Sequence, residues 1–336
     1  MDRSYGLILG QGRSGTNWLI DSLDASPYTF CRNEPNECIP SFMDPLPNHW
    51  RIGADGARLA QWWDDAAELT ATHMGERDHR LNHPKTFVRP LSQKLHLAQM
   101  SARPKLRRVA SRVLWSWADG EWKMPRWVGS LDAPDIVAIF KLVQGYNWAT
   151  WVLDNRPEIP VVQVVRHPGG RHESFLRRYV ALSDAEETRR LKIAQLRRLA
   201  PEKDIAERIG PVDELTLEEA ETWFGIYQME VFEQRAAHSP KYLRVRYEDM
   251  VRNPGSTLEQ VYAHLGLPMT SDVRDRIEAQ RGTSVFGKVS TDADEQIDGW
   301  RDRLAPDVTE RIEAILETSP LAQWWSDHLD EGQIAA

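Results

Sequence analysis

Between Gly6 and Ser26 the chain reads GLILGQGRSGTNWLIDSLDAS: a short apolar strand, a glycine-rich turn and an amphipathic helix with nothing between them. Such a turn is built to hold phosphate. Gly10, Gly12 and Gly15 let the backbone take positive φ and bring its N–H groups close to an anion, while Ser14 and Thr16 add hydroxyl donors where the helix starts. Arg13 adds a fixed charge and a fork of donors. The glycines at 10 and 15 have the spacing of a Walker A loop, but Thr16 stands where that loop has its Lys, and the cation comes three places earlier. This displacement argues against a nucleotide triphosphatase, which needs the Lys at the β- and γ-phosphates.

A chain of 336 residues can bury a full core, and its composition, 41% hydrophobic and 27% charged, is that of a globular protein. The expectation is one α/β domain with a substantial insertion. A net charge of −8 speaks against general nucleic-acid binding. Cys31 and Cys38 make no disulfide framework, which fits a reducing compartment. No signal peptide precedes the first strand and no apolar run reaches the ~18 residues of a membrane span, so the expected location is cytoplasmic.

Further along, two continuous apolar runs read as strands buried on both faces: Asp135 to Lys141, which ends in a cation, and Pro160 to Val165. The second leads into Arg166-His167-Pro168-Gly169-Gly170 and a helix carrying Ser174. Arg at a strand tip can grip a phosphate with two donors, and the following helix presents a hydroxyl and its N-terminal amides to the same group. Tyr28 to Glu37 alternates like a strand and ends in two carboxylates around Pro35. Arg171 to Arg208 is charged and helical, a solvated face or a cover. Thr216 to His238 reads as a long amphipathic helix with one apolar stripe, and Pro306 to Glu317 as a terminal helix.

Residues 40 to 134 resist this reading. They are rich in Trp and Arg, and Pro104 to Arg126 interleaves six cations with three tryptophans, a surface suited to sugar rings, an anionic acceptor or a membrane face; equally, the tryptophans could form a local core in a helical insertion. His73, His79 and His83 are discounted as a metal site, because Pro84 ends any helix there and no carboxylate or thiol completes the set.

RSGTNW resembles the KSGTTW-type 5′-phosphosulfate loop of sulfotransferases that use 3′-phosphoadenosine-5′-phosphosulfate (PAPS). Arg166 and Ser174 have the eight-residue spacing of that family's 3′-phosphate motif, with His167 where an acidic or amide residue is common. Lys241 to Pro268 resembles its Arg-Tyr-Glu-Asp strand end and Leu-Gly-Leu-Pro helix stop, and Tyr247, Glu248 and Asp249 are assigned to architecture. Asp298-Gly299-Trp300-Arg301 matches part of the closing loop, which leaves Lys288 or Arg301 as its cation. The resemblance implies a three-layer P-loop-like α/β fold with a central parallel sheet, a core formed by residues 1–39 and 135–304, a substrate-side insertion over 40–134, and a C-terminal helix and tail over 305–336.

It also implies site roles. Gly12, Arg13, Ser14, Gly15, Thr16 and Asn17 would hold the 5′-phosphosulfate, and Trp18 would stack on the purine unless it is simply a core aromatic. Arg166 and Ser174 would anchor the 3′-phosphate. Glu34, in a Glu-Pro pair like that of the carbohydrate-modifying branch, is the expected general base, with Glu37 second; Val143 replaces the histidine common in the hormone-modifying branch. Lys141 and Arg13 would stabilise charge on the departing phosphate. The expected reaction moves a sulfuryl group from PAPS to a hydroxyl or amine of a small-molecule or carbohydrate acceptor, releases 3′-phosphoadenosine-5′-phosphate (PAP) and needs no metal. Its rivals are a P-loop kinase and a nucleotide-binding protein without catalysis.

Overall fold

The computed structural model describes residues 4–35, 56–72, 79–80, 83–91, 94, 135–179, 184–199, 203–279, 283–284, 287–288, 290 and 292–325. The first strand, β1 (Ser4–Gly10), lies in the middle of the sheet. It pairs in parallel with β4 (Val137–Val143) on one side and with β5 (Val161–Val165) on the other. β2 (Thr29–Asn33) extends the sheet in parallel beyond β4, and β6 (Tyr242–Arg246) does so beyond β5. β3 (His79–Arg80) closes the β2 edge in the antiparallel sense, giving the order β3-β2-β4-β1-β5-β6.

Parallel neighbours require crossover connections, and these place helices on both faces. Because side chains alternate along a strand, each strand feeds both layers. Leu7, Leu9, Phe140 and Leu142 join one core with α3 (Tyr146–Asn155) and α7 (Leu217–Ala236). Ile8, Ile139, Val162 and Val164 join a second core with α1 (Thr16–Asp24) and α9 (Pro254–His264). The result is the three-layer α/β fold with a parallel sheet that the family resemblance implies.

Several elements differ from their sequence reading. The β2 strand stops at Asn33, four residues before the expected Glu37. The charged stretch after Arg166 divides into α4 (Pro168–Tyr179), α5 (Ala185–Leu199) and α6 (Lys203–Ile209). Helix α7 is not amphipathic: Glu218, Glu221, Thr222, Gln228 and Glu230 are buried along with its apolar residues. It is enclosed by α3, α4, α5 and the terminal helix α13 (Pro306–Glu317), so its middle, from Ala220 to Glu230, is buried all round. Its polar groups therefore need partners. Ser319 Oγ donates to Glu230 Oε1 at 2.7 Å, and Arg311 Nε to Glu218 Oε1 at 2.9 Å.

In the insertion, α2 (Gly56–Thr72) sends Trp62 and Trp63 into the main core, where Trp62 stacks on Trp148 with ring centroids 4.7 Å apart and Trp63 meets Phe140 edge-on. These two tryptophans are structural. His79 lies in a strand, so it and His83 do not share a helix face. His73, Cys38, Glu37 and the Pro104–Arg126 stretch lie outside the described residues, and among those described no helix is long and apolar enough to cross a membrane.

Candidate active site

All five parallel strands end on the same edge of the sheet. Open α/β sheets bind ligands there, at the point where successive connections leave in opposite directions. Here that point is the end of β1, since β2 lies to one side of it and β5 to the other. Read across the edge, β2 delivers Glu34, β4 Lys141, β1 the glycine-rich loop, β5 Arg166 and the helix with Ser174, and β6 Tyr247.

Strain marks the same edge. Among the described residues three non-glycines have positive φ: Arg13 at 71°, Glu34 at 50° and Gln144 at 59°, each just past the end of a strand. Left-handed backbone at non-glycine residues costs on the order of 1 kcal/mol and persists where neighbours enforce it. Here the Glu34 amide donates to the Lys141 carbonyl at 2.8 Å and the Gln144 amide to the Gly10 carbonyl at 2.9 Å.

Lys141 is the centre of the β2 side. Its ammonium, only 1% exposed, donates to Asn17 Oδ1 at 2.9 Å, Asn33 Oδ1 at 2.8 Å and Glu34 Oε1 at 2.5 Å. The Glu34 side chain retains 23% exposure, so a molecule entering from solvent can reach the carboxylate while the ammonium stays inside. Register explains the meeting: Asn33 lies opposite Lys141 in the sheet, and Glu34 follows directly.

On the β5 side the two signature arginines touch. Arg166 Nη1 donates to the Arg13 carbonyl at 3.1 Å, and Arg13 Nε donates to Ser174 Oγ at 2.9 Å. The Arg166 guanidinium also lies 4.1 Å from the centre of the Tyr247 ring, a cation–π contact. The loop between these groups is tight: the Ser14 amide donates to the Gln11 carbonyl at 3.2 Å, and Gly15 caps α1 at φ 97°. Ser14 Oγ is buried without a hydrogen-bond partner among the described residues.

Gly15 is required twice over. A Cβ there would stand 2.6 Å from the Tyr247 ring as well as in left-handed backbone. Gly15→Ala is expected to cost about 2 kcal/mol or more of unfolding free energy in urea; an unchanged midpoint and slope would refute the packing described.

Other sequence-proposed residues fall elsewhere. Trp18 is half-buried against the α1-side core. Arg301 pairs with Glu313 at 2.8 Å and its guanidinium lies 4.4 Å from the centre of the Trp300 ring, on which His167 also stacks. Glu313 is held below the ordinary carboxylate range by His167 and Arg301, against the effect of its burial. Lys288 is in a short β7–β8 hairpin (Thr283–Ser284 and Gly287–Lys288), and its side chain is outside the described residues. Tyr247, read from sequence as architecture, packs its ring against the Arg166 guanidinium and the Gly15 backbone. Asn17, whose side chain had no role assigned, and Asn33 hold Lys141. Gln11 and Arg171 are further residues the sequence reading passed over; their only local signal is position, one beside the loop and the other three residues before Ser174 on the same helix face.

Arg13, Lys141, Arg166 and Arg171 gather around a loop of backbone donors in a chain whose net charge is −8. The sequence model of the sulfotransferase family matches residues 7–272. Carbohydrate sulfotransferase 1 of Homo sapiens is 37% identical over 73 residues, and that of Mus musculus 40% over 73; each match covers 20% of this chain and 18% of the relative. Solved structures with similar folds include the sulfotransferase domain from the curacin biosynthetic pathway (TM-score 0.43, 15% identity, 94% of this chain and 99% of that one) and sulfotransferase STF9 from Mycobacterium avium (TM-score 0.41, 15% identity, 96% and 76%). Another is mouse sulfotransferase SULT7A1 complexed with PAP (TM-score 0.40, 12% identity, 96% and 88%).

Proposed function

This chain belongs to the sulfotransferase family, and on that premise we propose that it transfers the sulfuryl group of PAPS to a hydroxyl or amine of a small-molecule or carbohydrate acceptor. The observation that carries the reading is the meeting of Arg13, Ser174 and Arg166 beside the loop, next to the Lys141–Glu34 pair on the same sheet edge. The donor set fits a bisphosphorylated nucleotide. Among the described residues the buried Ser14 hydroxyl lacks a partner and a Cβ on Gly12 would meet nothing closer than 3.8 Å, which leaves room for a ligand there.

In this mechanism Glu34 takes the proton of the acceptor hydroxyl as its oxygen forms a bond to sulfur. The bond from sulfur to the 5′-phosphate oxygen breaks in line, and the electron pair leaves with PAP. Lys141, Arg13 and the amides of Gly15 to Asn17 stabilise the charge that grows on that oxygen. Arg166 and Ser174 hold the 3′-phosphate.

Calorimetric titration with PAP and with ATP·Mg tests the donor. Binding of PAP with little response to ATP·Mg is expected, and the reverse preference would favour a kinase. With labelled PAPS and an acceptor found by screening, Glu34→Ala is expected to abolish transfer with PAP affinity nearly intact, and unchanged turnover would remove Glu34 from the base role. Arg166→Ala is expected to weaken PAP far more than adenosine 5′-phosphosulfate. Equal losses would end the 3′-phosphate assignment.

A further inference from the structure

An anion cup made of backbone amides has a structural demand of its own. Each trans peptide points its C=O opposite to its N–H, so turning an amide toward a ligand drives the preceding carbonyl back into the protein, where it needs a donor. In this loop two consecutive carbonyls are met by donors, both arginines of the β5–α4 unit; the Ser14 amide, on the peptide of the Arg13 carbonyl, turns to the Gln11 carbonyl, so the Arg13 amide, on the peptide of the Gly12 carbonyl, is the one this geometry can aim at a ligand. Arg166 takes the carbonyl of Arg13, and Arg171 Nε donates to that of Gly12 at 3.2 Å.

Arg171 is itself held from behind. It is 4% exposed, and its Nη2 lies 3.4 Å from Glu221 Oε1 on the enclosed helix α7. The other oxygen of Glu221 accepts from His172 Nδ1 at 2.8 Å, which fixes the carboxylate plane. One turn further along α7, the Gly225 carbonyl accepts from Gln11 Nε2 at 2.6 Å, and a Cβ on Gly225 would fall 2.7 Å from that amide and 3.1 Å from Arg171. Glu221 stays below the ordinary carboxylate range because His172 and Arg171 outweigh its burial. Helix α7 thus reaches the back of the loop at two points, one of them through a buried ion pair.

We propose that Arg171 and Glu221 are positioning residues for the phosphate loop: Glu221, oriented by His172, holds Arg171 against the Gly12 carbonyl, which keeps the Arg13 amide turned toward the 5′-phosphate end of the donor. The inference rests on the donor reading above. It assigns the pair no contact with the nucleotide and no part in holding the 3′-phosphate, which is the work of Arg166 and Ser174.

That division supplies the test. The double variant R171M/E221Q replaces the buried ion pair with neutral groups of similar size and leaves His172 an acceptor, a change that buried pairs often tolerate without loss of the fold. Unaltered and double-variant full-length chains are titrated calorimetrically with PAP, adenosine 5′-phosphate and adenosine 3′-phosphate, and their melting is recorded. Melting temperatures within a few degrees of each other are expected, with ~10- to 100-fold weaker binding of PAP and adenosine 5′-phosphate, the range of a lost charge-assisted hydrogen bond. Adenosine 3′-phosphate should bind within about twofold of its original affinity. If the double variant fails to fold, E221Q alone, which keeps Arg171 and a hydrogen-bond acceptor, is expected to show the same 5′-selective loss at ~3- to 10-fold. Unchanged binding of the 5′-phosphate, or equal losses for the two monophosphates, would overturn the proposal while PAP binding by the unaltered chain upheld the donor reading. An unaltered chain that binds neither PAP nor adenosine 5′-phosphate would overturn both.

Discussion

Replacing Lys141 with Met is expected to lower sulfuryl transfer by about 10²- to 10³-fold, with PAP affinity changed only a few-fold. The ammonium is donor-only and nearly inaccessible, and three acceptors converge on it from β2 and from the first turn of α1. It is therefore fixed in place before a reaction begins, and a fixed positive charge at the oxygen that gains electrons acts without reorganisation. Met keeps the length of the side chain and removes the charge. It also leaves Asn17, Asn33 and Glu34 without this shared donor, so a loss of ~1–3 kcal/mol in stability should accompany the change. Single-turnover rates at saturating PAPS separate the two effects, because a fold defect lowers the active fraction whereas a lost charge lowers the rate constant of the whole population. A fall in PAP affinity as large as the fall in rate would show instead that Lys141 serves in binding the donor.

The division between what could be read from the chain and what could not follows the range of the interactions. The β1 loop was legible because its glycines, hydroxyls and cation act within seven positions. The buried strands were legible because parallel strands covered on both faces are uninterrupted apolar runs. Arg166 and Ser174 have a fixed spacing set by one strand-turn-helix unit, and that unit does bring them to the loop. Tyr247 carried no such signal. Its place beneath Arg166 depends on β6 lying beside β5, a pairing between segments some eighty residues apart. Asn33 reaches Lys141 through sheet register, and Arg171 reaches Gly12 across 159 positions of sequence. Helix α7 misled for a related reason. Five of its apolar residues fall on one stripe, but its carboxylates are buried against arginines and a serine from other elements, partners that periodicity cannot see. Trp62 and Trp63 stood in a stretch that resisted a regular reading, and they complete the main core.

The largest expected effect on stability lies away from the site, at Lys85. This residue lies within the 40–134 stretch, and its ammonium enters the corner between α1 and β2, where it meets Asp24 Oδ1 at 2.8 Å with both side chains fully buried. It also donates to the carbonyls of Asp24 and Ser26, at 2.5 and 2.8 Å, and lies 3.3 Å from Thr29 Oγ1. The neighbouring Thr86 amide donates to the Pro27 carbonyl at 3.0 Å, so this segment is tied to the turn that starts β2, five residues before Glu34. A buried ion pair contributes little net energy over an apolar pair, yet removing one partner leaves the other charge desolvated and alone. Lys85→Met is accordingly expected to cost about 3–5 kcal/mol of unfolding free energy in urea. The double variant K85M/D24L should recover most of that loss, because it removes the stranded carboxylate together with its partner. If the single variant were within ~0.5 kcal/mol of the unaltered chain, the surface-like value would mean that water reaches this corner and the pair is not buried. If instead the double variant were as unstable as the single, the energy would reside in the carbonyl contacts that Lys85 makes, and the turn before β2 would be held by hydrogen bonds rather than by charge.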